Sequence, residues 1–498
     1  MLRYFLLSIS IAVILFSCSD VETLRELNAI DTDAEFAFPL MNSKIVMQDL
    51  IENFDDQAAV LVEPDGLLRF SYTGDTTIRD SREIFDEINA ALPPLIPIFD
   101  TLVGFPISNS SLEVDRILFK GGELQFTFFN NNSNAIDVTV FIPEILRDGE
   151  PLSQSFQVGA FGDLPLSAFE LAGAWLIPNR DSLTIRYDAK IQTGQSVTVT
   201  NFFMLPKDLD YSYAEGALGS QAFESDQDTL EFDYYDNWTG GNVAFEKPKV
   251  TLNIINAFGF PAVAMAETFD ILTIDDQTLP LTSNLIDEGF AFNYPELNEV
   301  GSIKTTQFTF DENNSNIVEV INAGPNAVIY DLDVVTNPMS NSKGFLTDSS
   351  YFAYSIDAEF PLEGRISNFT ILDSTEVDLS SYDQIESAEF KVIVENGIPL
   401  ETTLQAFFID DKGNVIDPLF ESTQVIANPA QVDDNGSVTE TGDGTFFIEL
   451  DAEKFNRIRD AAYLRLVSSF SSPNNGRRTI KIFNDQSISV KVGLKIKV

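Results

Sequence analysis

The nine residues Ala388-Glu389-Phe390-Lys391-Val392-Ile393-Val394-Glu395-Asn396 place apolar side chains at their third, fifth and seventh positions and end in asparagine. Alternation of period two gives an extended segment one buried and one wet face, the mark of an antiparallel strand. The pattern occurs twice earlier. It reads Gly122-Glu123-Leu124-Gln125-Phe126-Thr127-Phe128-Phe129-Asn130 and then Pro248-Lys249-Val250-Thr251-Leu252-Asn253-Ile254-Ile255-Asn256. A proline follows each copy, at Pro143, Pro261 and Pro399. Asparagine bonds its own backbone and tolerates turn conformations, so it suits a strand-to-turn junction. The copies lie 126 residues (Asn130 to Asn256) and 140 residues (Asn256 to Asn396) apart. Each interval is the size of one β-sandwich module.

The alternation continues on both sides. It runs through Ile136, Val138, Val140 and Ile142, through Leu183, Ile185, Tyr187, Ala189 and Ile191, and through Ile488, Val490, Val492, Leu494, Ile496 and Val498. Glu63-Pro64-Asp65-Gly66 between two apolar runs predicts a hairpin, as does Asp410 to Asn414 between Leu404–Ile409 and Val415-Ile416. Phe369 to Leu372 and residues 326–336 also read as strands. Helical signals are few. They are Ile45 to Phe54, a helix opened by Asp80 with Ile84, Phe85 and Ile88 on one face, a short helix through Ile321 capped within Asn313 to Asn316, and a turn from Glu453 to Arg459. Residues 431–444 read as a mobile loop, and Ala90 to Ile107 as a proline-rich apolar segment that is either a buried crossover or a patch for a partner. The fold class is therefore all-β and mainly antiparallel, with tandem β-sandwich-like modules and a few short helices. The expected divisions are a leader at 1–17, a tether at 18–34, an N-terminal module at 35–215, a middle module at 216–345 and a C-terminal module at 346–498. The strand–Asn–Pro element loosely resembles that of late-embryogenesis-abundant type 14 and water-stress-hypersensitivity β-sandwich domains, whose adjacent Asn-Pro pair is not intact here.

The start of the chain supplies an address. One basic residue, Arg3, precedes an apolar run from Phe5 to Phe16, which is short of the ~20 residues a spanning helix needs. Leu15-Phe16-Ser17-Cys18 ends it, with the only cysteine in 498 residues. This order is that of a secretory leader. The tetrapeptide resembles the lipobox of bacterial lipoproteins, with the bulky Phe16 as its one departure. That resemblance implies lipid attachment at Cys18 and cleavage before it. Ser19-Asp20-Val21-Glu22 resembles in part the acidic export tract of surface lipoproteins in Bacteroidota-type bacteria; a merely solvated tether explains it equally. The expected location is the outer membrane, lipid-anchored, on the cell surface or its periplasmic face.

Composition narrows the chemistry. The formal net charge of −47 argues against a nucleic-acid partner. There is no histidine, which removes Ser-His-Asp and Cys-His catalysis, histidine-ligated metals and histidine switching together. Phenylalanine is abundant, 42 against 13 tyrosines and 2 tryptophans, which favours packing over ligand recognition. No cofactor, metal or catalytic residue is expected.

Four weaker features remain. Asp410, Asp411, Asn414 and Asp417 surround a glycine, but a hairpin turn explains them better than calcium; Asp433, Asp434 and Asp443 are similar. Tyr234, Tyr235 and Trp238 lie in the densest aromatic and polar cluster and are candidates for sugar binding. Residues 453–498 carry ten basic residues and three acids, a surface for acidic headgroups or an internal charge balance. Triplets beginning at Asp75, Asp100, Asp181, Asp228 and Asp373 resemble the O-glycosylation sequon of Bacteroidota-type exported proteins, which implies Thr76, Thr101, Ser182, Thr229 and Ser374 as acceptors. The expected function is a non-catalytic, lipid-anchored envelope binding or scaffold protein, an accessory to an outer-membrane complex with a protein partner. The alternatives are a surface glycan-binding lipoprotein for nutrient uptake and a carrier of lipid or another apolar ligand.

Overall fold

A computed structural model describes residues 35–47, 58–91, 93–99, 102–106, 113–180, 182–218, 220–233, 238–338, 342–377 and 387–497. Strands dominate it, and the ladders are antiparallel. The expected all-β fold of sandwich type is the observed one.

The N-terminal sandwich is one sheet folded into two layers. Glu113–Phe129 lies between Thr200–Ala217 and Asp163–Glu170 in one layer. Ile136–Arg147 lies between Glu150–Val158 and Ser182–Ile191 in the other. Aromatic rings join them: Phe128 meets Phe156 at 6.3 Å, Phe126 meets Phe156 at 5.9 Å and Tyr187 meets Phe202 at 5.2 Å. Each buried phenylalanine contributes about 1.5–3 kcal/mol of transfer free energy. The proline-rich segment crosses between the layers. Ile96–Pro97 pairs with Thr200–Ala217, and Leu102–Pro106 pairs with Ser182–Ile191. Burial alternates along it: Ile96 and Ile98 are buried while Leu95 and Phe99 are exposed.

The middle sandwich packs Ala58–Val62, Leu68–Thr73, Tyr351–Pro361, Lys249–Asn256 and Lys304–Phe310 against a sheet built on Ala262–Thr273 and Pro325–Thr336. Phe269 meets Phe310 at 5.1 Å and Phe223 meets Phe352 at 5.3 Å across the gap. The C-terminal sandwich has Glu35–Val46, Ser487–Lys497, Ser387–Asn396 and Gly442–Asp451 in one sheet. Its other sheet runs from Trp238–Phe245 through Glu363–Glu376, Tyr463–Ser471 and Glu401–Ile409 to Val415–Pro418.

These sheets draw strands from across the divisions at 215/216 and 345/346. Glu35–Val46 pairs with Ser487–Lys497, Trp238–Phe245 pairs with Glu363–Glu376, and Gly344–Thr347 pairs with Thr200–Ala217.

The three asparagines of the repeated pattern are buried, each at 1% exposure or less. In each, Oδ1 accepts the backbone N–H two residues on, from Asn132, Phe258 and Ile398 at 2.9–3.0 Å. In each, Nδ2 donates to the carbonyl of a distant loop: Gly159 at 2.8 Å, Asn293 at 3.1 Å and Asn428 at 2.8 Å. Asn130 and Asn396 also donate to the carbonyl four residues on, at Asn134 and Leu400. A buried polar side chain is tolerated because its hydrogen bonds are satisfied.

Two local expectations need correction. Ile45 and Val46 belong to a strand, not a helix, because they pair with Ile488 and Ser487; residues 48–57 of that stretch lie outside the described residues. Residues 431–444 are not a loose loop. Gln431–Val432 pairs with Val438–Glu440, and Asp433 closes the turn by accepting from the N–H groups of Asn435 and Ser437. The other helical signals are realised, at Arg82–Ala91, Ile317–Ile321 and Ala452–Ile458. Asp80 accepts the Arg82 N–H at 2.9 Å, and Ile84, Phe85 and Ile88 are buried beneath.

Candidate functional site

The surface that stands apart is one end of the N-terminal sandwich. Three connections meet there, at 130–135, 159–162 and 191–201. Hydrogen bonds sew them together. Asn130 N–H donates to Gly162 O at 2.8 Å, Phe161 N–H to Asn132 O at 3.1 Å, and Asn132 Nδ2 to Thr198 O at 3.2 Å. The Asn130 clamp on Gly159 O anchors the second connection. It holds Phe161 in the left-handed region, φ 50°, with 63% of the residue exposed. A bulky residue there is a conformational outlier, costing roughly 1–2 kcal/mol. On the neighbouring corner Ile98 N–H donates to Phe202 O, and the next residue, Phe99, is 88% exposed. Leu95 on the same segment is 45% exposed.

A second cluster lies on the outer face of the same sandwich. The Arg116 guanidinium sits over both Trp175 and Tyr213 at 5.5 Å and bonds Glu215 at 2.7 Å. Burial first, and the Glu215 carboxylate next, push the Tyr213 phenol up to about 12. This group is internally paired and reads as a structural pin.

The candidates read from sequence fall in separate places. Tyr234 and Tyr235 lie outside the described residues. Trp238 is half-buried against the core of the C-terminal sandwich, and its Nε1–H donates to Gly241 O at 3.1 Å. Thr76, Thr229 and Ser374 are exposed, Ser182 is half-buried, and Thr101 lies outside the described residues. Asp75 and Asp228 both face the Tyr330 hydroxyl, which Asp228 accepts at 2.8 Å. Burial foremost raises that phenol well above its ordinary range. Cys18 also lies outside the described residues.

Asp410 is a turn-former. It accepts from the N–H groups of Lys412 and Asn414 and from the Asn414 amide, which lowers its pKa, the amide bond leading. Asp417 pairs with Arg457. Among the described residues no group of three or more Asp, Glu, His or Cys is placed to hold a metal ion. The basic C-terminal region is largely turned onto the chain itself. Lys454 donates to Leu419 O, Arg478 to Asp433 O and Asp434, and Lys481 pairs with Glu363.

Phe161 and the Arg116 cluster were not visible in the strand periodicity. Gly159-Ala160-Phe161-Gly162, one aromatic between glycines, was the available sign of a presented ring.

No family model matches the chain, and no curated protein matches it. Among solved structures it is similar to a protein of Parabacteroides distasonis ATCC 8503 described as secreted, with 11% identity, 93% of this chain and 100% of that chain covered, and a TM-score of 0.26. It is also similar to the VP2 subviral particle of infectious bursal disease virus, with 9% identity, 79% and 74% covered, and a TM-score of 0.16. TM-scores this low define no common fold.

Proposed function

We propose that the protein is a lipid-anchored, non-catalytic binding or scaffold component of the cell envelope, an accessory to an outer-membrane complex. Cys18 carries the anchor, residues 18–34 the tether, and the sandwiches the contact surfaces. The observation that supports binding is Phe99, almost fully exposed beside Leu95 on a segment whose alternate residues are locked into the core. Exposed aromatic side chains on a fixed scaffold are the usual anchors of protein interfaces. The shared hydrogen bonding of Asn130, Asn256 and Asn396 supports a common origin for the three modules, of the late-embryogenesis-abundant type 14 kind.

The test has two arms. Cells grown with an alkynyl fatty acid should label the wild-type chain and not Cys18→Ser. Purification of the native lipoprotein in gentle detergent should retain a stoichiometric envelope protein, and Phe99→Ser should lose it. An unlabelled wild type sinks the anchor. A chain that purifies alone, or whose partner ignores Phe99→Ser, sinks the docking corner.

A further inference from the structure

We infer that the end of the N-terminal sandwich formed by 130–135, 159–162 and 191–201 is a binding site for a neutral polysaccharide, with Phe161 as its stacking ring. The proposal is independent of what contacts Phe99.

Its first support is electrostatic. One residue in five of this chain is charged, and acids outnumber bases 77 to 30, yet the three connections contain no Asp, Glu, Lys or Arg. They meet as one surface through the hydrogen bonds at Asn130, Asn132 and Phe161. The charges at its margin are Asp137, Asp163 and Lys190, the last paired with Asp188, so an ionic ligand would find no cluster of counter-charge there. A ligand whose polar groups are all hydroxyls would need none.

The second support is the inventory of exposed groups. Asn131, Asn134, Gln192, Gln195, Thr198 and Asn201 are exposed, and the side chains of Gln192, Gln195 and Asn201 make no hydrogen bond among the described residues. Amides and hydroxyls each offer a donor and an acceptor, the complement of a sugar hydroxyl. A bilayer-inserting tip would expose apolar residues in their place.

The third is Phe161 itself. It buries little, it is bulky, and the clamp at Asn130 and Asn132 keeps it at positive φ. Neither exposure nor strain stabilises the fold. Strain of this kind persists where a fixed outward geometry serves a site. A ring set among amides and hydroxyls is the arrangement that takes the apolar face of a pyranose while neighbours bond its edge.

The experiment is native affinity electrophoresis of the full lipoprotein in non-ionic detergent. The gels contain mixed-linkage glucan, xyloglucan, galactomannan or dextran, with polygalacturonate as the anionic comparison. The variant is Phe161→Gly, which removes the ring and suits the left-handed backbone. Its urea midpoint, followed by Trp175 emission in a Trp238→Phe background, should equal or exceed that of the same background with Phe161 intact, so lost binding cannot be lost folding. The expected result is retardation in at least one neutral gel, none in polygalacturonate, and at least tenfold weaker affinity for Phe161→Gly. Absence of retardation in every neutral gel overturns the proposal, as does equal retardation of the variant. A protein or vesicle partner lost with Phe161→Gly, without any glycan retardation, also overturns it and assigns the surface to that partner.

Discussion

Replacing Asn396 by alanine isolates the junction on which each sandwich turns. The side chain is 1% exposed and makes three hydrogen bonds, from Ile398 N–H and to the carbonyls of Leu400 and Asn428, at 2.8–2.9 Å. A lost intramolecular hydrogen bond costs about 1 kcal/mol net, and a buried group left unpaired about 1–3 kcal/mol. Three such losses sum to about 3–5 kcal/mol, the lower end applying where water enters the vacated space. That is a large share of the ~5–15 kcal/mol available to a domain. The assay is urea unfolding followed by Trp238, which lies in the same sandwich, in a Trp175→Phe background that leaves it the only indole. Asn396→Asp adds a sign. Aspartate keeps the acceptor toward Ile398 but sets a carboxylate against two carbonyl oxygens, so burial and those neighbours hold its folded pKa above the unfolded ~3.9. The folded state then binds more protons than the unfolded state. Stability relative to wild type therefore falls as pH rises from ~4 to the folded pKa, by at most ~1.4 kcal/mol per pH unit. A loss below ~1 kcal/mol for alanine, or a flat pH profile for aspartate between pH 4 and 8, would refute this account of the junction.

The equivalent changes should rank by bond count: Asn256→Ala, which removes two side-chain bonds, should cost at least about 1 kcal/mol less than Asn130→Ala when each sandwich is followed by hydrogen exchange. Asp80→Ala removes the acceptor of the Arg82 N–H and should destabilise by about 1 kcal/mol, with hydrogen exchange rising first across Arg82–Ala91. Tyr211, Tyr213 and Tyr330 have phenols raised chiefly by burial, so ionisation above their unfolded pKa of ~10 favours unfolding; absorbance at 295 nm should show at least these three tyrosines titrating only with loss of structure. Intact mass and peptide mapping of the native protein should find glycans on exposed Thr76, Thr229 or Ser374 before half-buried Ser182, and an unmodified mass would remove the sequon reading.

How much of this was legible follows from what encodes it. Alternation of apolar and polar residues is local, so strands such as Ser387–Asn396 and Ser487–Lys497, and the hairpin at Glu63 to Gly66, could be read directly. The terminal asparagines marked real junctions because their bonds reach residues two and four positions on. Pairing across the chain is not local. Nothing within Trp238–Phe245 names Glu363–Glu376 as its neighbour, so the modules seemed consecutive where the sheets are interleaved. The surroundings of Trp238 in sequence are those of a ligand platform, whereas the bond of its indole N–H to Gly241 O and its packing on the core are set by the fold. Phe161 was missed because exposure and a positive φ come from the clamp at Asn130 and Asn132, not from its neighbours in sequence.

The pairing of Glu35–Val46 with Ser487–Lys497 has a consequence for assembly. It joins segments separated by roughly 440 residues, a closure worth about 5 kcal/mol of chain entropy if nothing between them were folded. The intervening sandwiches must therefore form first and bring the two segments close. Glu35–Val46 pairs with nothing else among the described residues. It is a late zipper, and until residues 487–497 join it the strand is an open edge, able to pair with another chain. Closure of that edge waits on Ser487–Lys497, the last strand of the described chain to be synthesised.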